Sequence, residues 1–115
     1  MKKAVIVGGS NGIGLAIARK LIGKGYHACI LDRVEPDGKV LDNPETFTYY
    51  PCDLLDFQEA QFQTLTADED VCALMITAGF GRVAQFEYLH PAEIENLLKV
   101  NTVAAIKILR YFYER

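Results

Sequence analysis

The sequence has no block of basic residues, no apolar run long enough to span a bilayer, no Cys-x-x-Cys pair and no Cys/His cluster. Each absence excludes a class of function. Twelve Lys and Arg stand against 15 Asp and Glu, for a net charge of −3. The basic residues are scattered, so neither a nucleic-acid backbone nor an anionic membrane meets the electrostatic footprint it requires, and no partner of either kind is expected. Met1-Lys2-Lys3 is followed by four apolar residues, too few for a signal-peptide core or a membrane span, which predicts a cytoplasmic location. Cys29, Cys52 and Cys72 are odd in number and far apart, and two lie inside apolar runs. They are expected as buried reduced thiols, with no disulfide and no metal site. His27 opens an apolar run and His90 precedes Pro91, places that suit surface or turn residues better than a catalytic base. No internal repeat and no low-complexity segment is visible.

What is present is an ordinary globular balance, half apolar and 23% charged, over 115 residues that predict one domain, 1–115. Three continuous apolar runs, at 4–7, 28–31 and 71–76, lack the alternation of a sheet with one wet face. They read as strands covered on both sides, the habit of parallel sheets flanked by helices. The run Thr46-Phe47-Thr48-Tyr49-Tyr50 is β-prone but more polar and suits a sheet edge. Between the first two strands, Ile13, Ile17 and Leu21 recur every four residues, predicting a helix over 12–24 that Gly25 caps. Asp56 with Glu59 resembles a capping box opening a helix to about residue 65. Pro91 suits the first turn of a last helix running to the end of the chain. Residues 33–45, with two prolines and a glycine, predict a loop. Crossover helices impose parallel strands and right-handed connections. The simplest result is an α/β doubly wound parallel sheet with strand order 3-2-1-4.

Directly after the first strand comes Gly8-Gly9-Ser10-Asn11-Gly12-Ile13-Gly14, where strand turns into helix. Glycines there allow a tight turn, backbone approach to a pyrophosphate, and close helix-to-strand packing. The free N–H groups and dipole of the helix start then face the phosphates. A structural loop is the alternative. The spacing Gly8-x-x-x-Gly12-x-Gly14 is neither the Gly-x-Gly-x-x-Gly of most dinucleotide folds nor a phosphate loop ending in Gly-Lys-Ser/Thr. Asp32 ends the second strand, Asp53 follows the third within Cys52-Asp53-Leu54, and Thr77-Ala78-Gly79 follows the fourth.

In order and interval these features resemble the short-chain dehydrogenase/reductase family along essentially the whole chain. The resemblance implies a Rossmann-type NAD(P)-binding domain and an oxidoreductase that moves a hydride between the cofactor and a small alcohol or carbonyl substrate. It implies that Gly8, Ser10, Asn11, Gly12, Ile13 and Gly14 hold the pyrophosphate. Asp32 and Arg33 would meet the adenosine ribose, Cys52, Asp53 and Leu54 the adenine, and Ala78 and Gly79 a ribose, with Phe80 and Gly81 continuing that loop. A carboxylate at Asp32 accepts hydrogen bonds from both ribose hydroxyls and repels a 2′-phosphate, which favours NAD over NADP. Without the resemblance, Asp32 reads as a solvated loop acid and Asp53 as a helix N-terminal residue. Val7 replaces the threonine of the family's loop, and Ile76 and Thr77 replace two asparagines.

On the last helix, Ile94, Leu97, Leu98, Ala105, Ile108 and Phe112 form an apolar stripe that includes Asn101. A buried amide must find partners, so Asn101 is either a structural helix-bending residue or part of a polar site. The resemblance makes it the family's active-site asparagine, holding a water in a proton relay. The family's serine and Tyr-x-x-x-Lys belong further along than Asn101; Tyr111 with Arg115 has the spacing but the wrong cation. Tyr49, Tyr50, Phe86 and Tyr88 are expected as packing groups. Val100, Val103, Ile106 and Tyr113 make a second apolar stripe, and the fourth strand is apolar although it would be an edge. The expectation is therefore the N-terminal part of a longer enzyme, truncated after the Asn101 helix and inactive alone. A homo-oligomer through that helix or the fourth strand is also expected. The alternative is a catalytically silent NAD-binding or self-association module.

Overall fold

The computed structural model describes residues 1–80 and 85–113. Gly81 and Arg115 lie outside them. Four strands, β1 (Lys3–Val7), β2 (His27–Asp32), β3 (Phe47–Pro51) and β4 (Val71–Ile76), form one parallel sheet in the order β3-β2-β1-β4. This is the predicted doubly wound arrangement. Helix α1 (Gly12–Gly23) crosses from β1 to β2, and α2 (Glu59–Ala67) from β3 to β4. From β2 to β3 the chain runs without a helix, tethered by Leu41, which is buried beside Ala28 and Ile30. Helix α3 (Pro91–Leu98), a π turn (Lys99–Val103) and α4 (Ala104–Tyr113) then follow one another directly.

The continuous apolar runs are explained by the two faces of the inner strands. Val5, Val7, Cys29 and Leu31 pack toward Phe62 and Leu65 of α2 and Ala104 and Ile108 of α4. The alternate residues Ile6, Ala28 and Ile30 pack toward Ala18 of α1. Residues 4–7 and 28–31 are therefore buried throughout, and each large side chain so buried contributes about 1.5–3 kcal/mol. The edge strand β4 behaves differently: only Val71 is buried, and the rest is half-buried or exposed. Cys72, expected inside, is exposed. The β1–β4 register jumps from Lys3↔Val71 to Ala4↔Ala73, so Cys72 is the extra residue of a bulge and its thiol lies 3.6 Å from the Lys3 carbonyl.

Helix details depart from simple periodicity for local reasons. In α1 the inward face is Gly14 and Ala18, flanked by Leu15, Leu21 and Ile22, while Ile13 points outward at 77% exposure. Two small residues let the helix lie close to β1, and that contact sets its rotation. The helix ends as expected before Gly25, with the Tyr26 N–H donating to the Leu21 carbonyl at 3.0 Å. The capping box at Asp56 does not form: α2 begins at Glu59, its N-cap is Gln58, and no side chain caps it. Asp53 organises the approach instead, its carboxylate accepting the Leu55 N–H at 3.0 Å and its carbonyl the Asp56 N–H at 3.0 Å. Phe57 stacks on Phe62 at 4.9 Å with Tyr111 alongside, which fastens α2 to α4.

The π turn is the main surprise of the last helix. Its Ala104 N–H reaches back five residues to the Lys99 carbonyl, and the inserted residue advances the following helix by about 100° against the ideal count. Ala104 and Ile108 are consequently buried, whereas Val103, Ile106, Leu109 and Tyr113 remain outside, and Asn101 within the first predicted stripe is exposed. Among the described residues no helix is long and apolar enough to cross a membrane.

Burial, reinforced by Asp53 and Asp32, pushes the Cys52 thiol from 9.0 up to about 11, and burial also raises Cys29 and Tyr50. Folding holds these groups neutral, while the unfolded chain releases their protons at ordinary pH values. Stability is therefore full below pH 9 and falls as pH rises toward 11. Urea midpoints at pH 8 and 10.5 should show the drop, and Cys52→Ala should flatten it; an unchanged slope in that variant would contradict this account.

Candidate functional site

The site is built where β1 and β4 end side by side and the chain leaves them in opposite directions. The Gly8 N–H donates to the Leu31 carbonyl of β2 at 2.7 Å. The Val7 carbonyl accepts the N–H groups of Thr77 at 2.8 Å and Ala78 at 3.0 Å on the β4 side. The loop that follows is held from both neighbours. At Gly8 the backbone takes φ +88°, and a Cβ there would stand 2.6 Å from the Ala78 nitrogen. A Cβ on Gly14 would collide with the Gly8 carbonyl oxygen and lie 2.5 Å from the Thr77 hydroxyl. Loop, α1 and the exit of β4 thus touch where only glycine fits.

Two further observations bear on what this cradle can hold. Asn11 at the N-cap of α1 makes no side-chain capping bond, so no side chain from the cap occupies the first-turn N–H groups. The Ser10 hydroxyl is buried, with the residue 5% exposed, and has no hydrogen-bond partner. An unsatisfied buried hydroxyl costs about 1–3 kcal/mol, and an anion at the helix start supplies the missing acceptor. These residues fit a dinucleotide's phosphates.

Asp32 ends β2 beside the same cleft. Its carboxylate accepts the Ser10 N–H at 3.1 Å and, more loosely, the Val34 N–H at 3.4 Å. The Tyr49 hydroxyl donates to the Asp32 carbonyl at 3.0 Å. Tyr49 was legible only as a packing group; its register opposite Ile30, two places before Asp32, is the signal that a strand pairing supplies.

The cleft gathers Gly8, Asn11, Asp32, Arg33, Cys52, Asp53, Leu54, Ala78 and Gly79 from four strand ends. Of the other predicted residues, Ser10 and Gly14 are buried beneath it, and Gly12 and Ile13 are exposed at the start of α1. Sequence reasoning did not mark Val34, Leu55 and Val100 for the site, and these also line it, as does Phe80 of the loop after the fourth strand. Val34 neighbours Arg33, Leu55 neighbours Leu54 and Val100 neighbours Asn101, each a residue the motifs had marked. Among the described residues no His/Cys/Asp/Glu group could hold a metal.

Asn101 corrects the expectation of a buried amide. It is exposed, and both its polar atoms engage one residue: Oδ1 accepts the Phe80 N–H at 2.9 Å and Nδ2 donates to the Phe80 carbonyl at 2.7 Å. The π turn around it is what lifts the amide out of the apolar stripe and over the loop after β4. The histidines are structural, as expected. His90 Nδ1 accepts the Ala92 N–H at 3.1 Å and caps α3, and His27 lies 2.7 Å from the Thr48 hydroxyl. Phe86 and Tyr88, expected to pack, are 79% and 68% exposed on a short 3₁₀ turn (Phe86–Tyr88).

The family model for short chain dehydrogenases matches residues 2–115. An uncharacterized oxidoreductase of Saccharomyces cerevisiae is 25% identical over 115 residues, covering 96% of this chain and 37% of that protein. The fold superposes on the bulky-bulky ketone specific alcohol dehydrogenase from Comamonas testosteroni with a TM-score of 0.81 and 25% identity, over 97% of this chain and 48% of that one. A 3-oxoacyl-[acyl-carrier protein] reductase from Brucella melitensis in complex with NAD gives 0.79 at 23% identity, over 98% and 48%. The chain spans about a third to a half of these proteins.

The cradle makes a steric prediction. Gly14→Ala should destabilise by about 1–3 kcal/mol, because the carbonyl it meets is backbone and cannot swing aside. Gly23→Ala, with nothing within 4 Å, should be neutral or gain up to about 1 kcal/mol. Urea unfolding of the two variants checks the contrast, and equal effects would refute it.

Proposed function

This chain belongs to the short chain dehydrogenases, and on that footing we propose that it binds NAD as the nucleotide-binding part of an oxidoreductase acting on an alcohol or carbonyl substrate. The observation that carries the reading is the glycine cradle with its unpartnered Ser10 hydroxyl. In this reading the N–H groups opening α1, with Gly8, Ser10, Asn11, Gly12, Ile13 and Gly14, hold the pyrophosphate. Asp32 accepts the adenosine ribose hydroxyls, with Arg33 beside it. Cys52, Asp53 and Leu54 bound the adenine, and Ala78 and Gly79 admit the second ribose to the backbone. A carboxylate at Asp32 opposes a 2′-phosphate, which supports NAD over NADP. When bound, the cofactor supplies hydride acceptance and donation.

Asn101 holds the loop after β4 through Phe80 with one hydrogen bond from each polar side-chain atom, and the second lone pair of Oδ1 and second N–H of Nδ2 remain for the relay water that this reading gives it. The 115 residues contain no Tyr-x-x-x-Lys, and we propose that they do not turn over substrate alone. A cytoplasmic location belongs to the same reading.

The test is titration of NADH by fluorescence. Binding is expected at millimolar concentrations or below. Asp32→Ala should weaken NADH about tenfold while weakening NADPH less. No fluorescence change at millimolar protein and cofactor would end the reading, and an equal loss for both cofactors would remove the NAD preference.

A second reading, self-association, is favoured by Val103, Ile106, Leu109 and Tyr113, which are 44%, 61%, 55% and 84% exposed along α4. Sedimentation over a wide concentration range should show mass above the monomer, and a monomer throughout would dismiss it.

A further inference from the structure

We infer that Thr77 is the positioning residue of the glycine loop: its hydroxyl, delivered from the end of β4, holds the Val7 and Gly8 carbonyls and so sets the shape that meets a pyrophosphate. This rests on the nucleotide reading above and names the group that shapes its phosphate site. The hydroxyl donates to the Val7 carbonyl and the Gly8 carbonyl, each at 3.1 Å. It is shared between the last residue of β1 and the first of the loop. The same oxygen would stand 3.0 Å from a Cβ on Gly8 and 2.5 Å from one on Gly14, so it sits in the angle between loop and helix. The backbone fixes it there, because the N–H groups of Thr77 and Ala78 both donate to the Val7 carbonyl.

The direction of the loop follows from peptide geometry. The C=O and N–H of one peptide unit point in opposite directions. Holding the Val7 carbonyl toward β4 turns the Gly8 N–H toward β2, where it donates to the Leu31 carbonyl at 2.7 Å. Holding the Gly8 carbonyl fixes the next unit in turn, and with it the start of the path to α1. No other side-chain hydroxyl does this among the described residues: Val7 has none, and the Ser10 hydroxyl has no partner. A valine in place of Thr77 keeps the shape and removes the side-chain donor, leaving the Val7 carbonyl its two backbone N–H partners. The Gly8 carbonyl is then free to tilt, while the valine methyl still fills the angle between loop and α1.

The experiment compares wild type, Thr77→Val and Thr77→Ser by binding of ADP and of adenosine, and by amide hydrogen exchange in the free chain. ADP carries the pyrophosphate and adenosine does not, so a general loss of fold weakens both while a misplaced loop weakens ADP alone. Thr77→Val should weaken ADP about five- to tenfold and leave adenosine within about twofold. Its amides at 8–14 should exchange about tenfold faster, with those of β2 and β3 unchanged. Thr77→Ser, which keeps the hydroxyl, should stay within about twofold of wild type in every measurement. Wild-type behaviour of Thr77→Val overturns the inference. So does a loss shared equally by ADP and adenosine, or an equal fall in the serine variant. If Thr77→Val does not fold, Thr77→Ala takes its place against the serine. If wild type binds no ADP, the nucleotide reading fails, and the exchange arm alone decides whether Thr77 holds the loop.

Discussion

The structure depends on the close approach of three backbone segments at the top of β1: the loop at Gly8, the first turn of α1 at Gly14, and the exit of β4 at Thr77 and Ala78. A methyl group on either glycine would occupy space already held by backbone or by the Thr77 hydroxyl. That proximity sets how close α1 lies to the sheet, which explains why its inner face is made of Gly14 and Ala18. It also sets where Asp32 stands, because the carboxylate takes the Ser10 N–H of the same loop. One steric constraint thereby links the helix, the inner strands and the polar edge of the cleft.

Ligand crevices of open α/β sheets form where neighbouring strands send their connections to opposite faces. Here that point lies between β1 and β4. The chain leaving β1 packs α1 on one face, whereas the chain that follows β4 reaches a helix on the other, where Ala104 and Ile108 join the core. Asn101 ties the exit of β4 to the last helix by gripping Phe80 through both of its side-chain atoms. The π turn is what makes this grip possible, since an uninterrupted helix would keep the amide in the apolar stripe. The same turn carries the apolar residues of α4 past the core and out to the surface.

What could be read in the residues follows from how local the cause is. The inner strands were legible because burial on both sides demands unbroken apolar runs, and the sheet order followed from crossover handedness. Gly8, Gly14 and Asp32 were legible through spacing; the cleft brings Gly8 and Asp32 together with Cys52, Asp53 and Ala78, and Gly14 is buried. The failures share a different cause, long-range geometry. Ile13 faces outward because Gly14 and Ala18 take the inward face of α1. Cys72 was extruded by a bulge that no periodicity encodes, and Asp56 lost its cap when Asp53 shaped the preceding turn. Asn101 left the stripe because one residue inserted in a helix shifts every later position.

Thr77 shows how a departure from a motif can conceal a compensation. Taken singly, a valine where the resemblance implies a threonine and a threonine where it implies an asparagine both look like losses. In three dimensions they are adjacent, since Val7 pairs with Ile76 across β1 and β4 and the next residue is Thr77. A donor absent from one strand end is supplied from the other, to the Val7 and Gly8 carbonyls. A hydroxyl on β4 thereby ties the loop to the neighbouring strand. The glycine cradle and the loop gripped by Asn101 then become parts of one unit, joined through the three residues from Ala78 to Phe80.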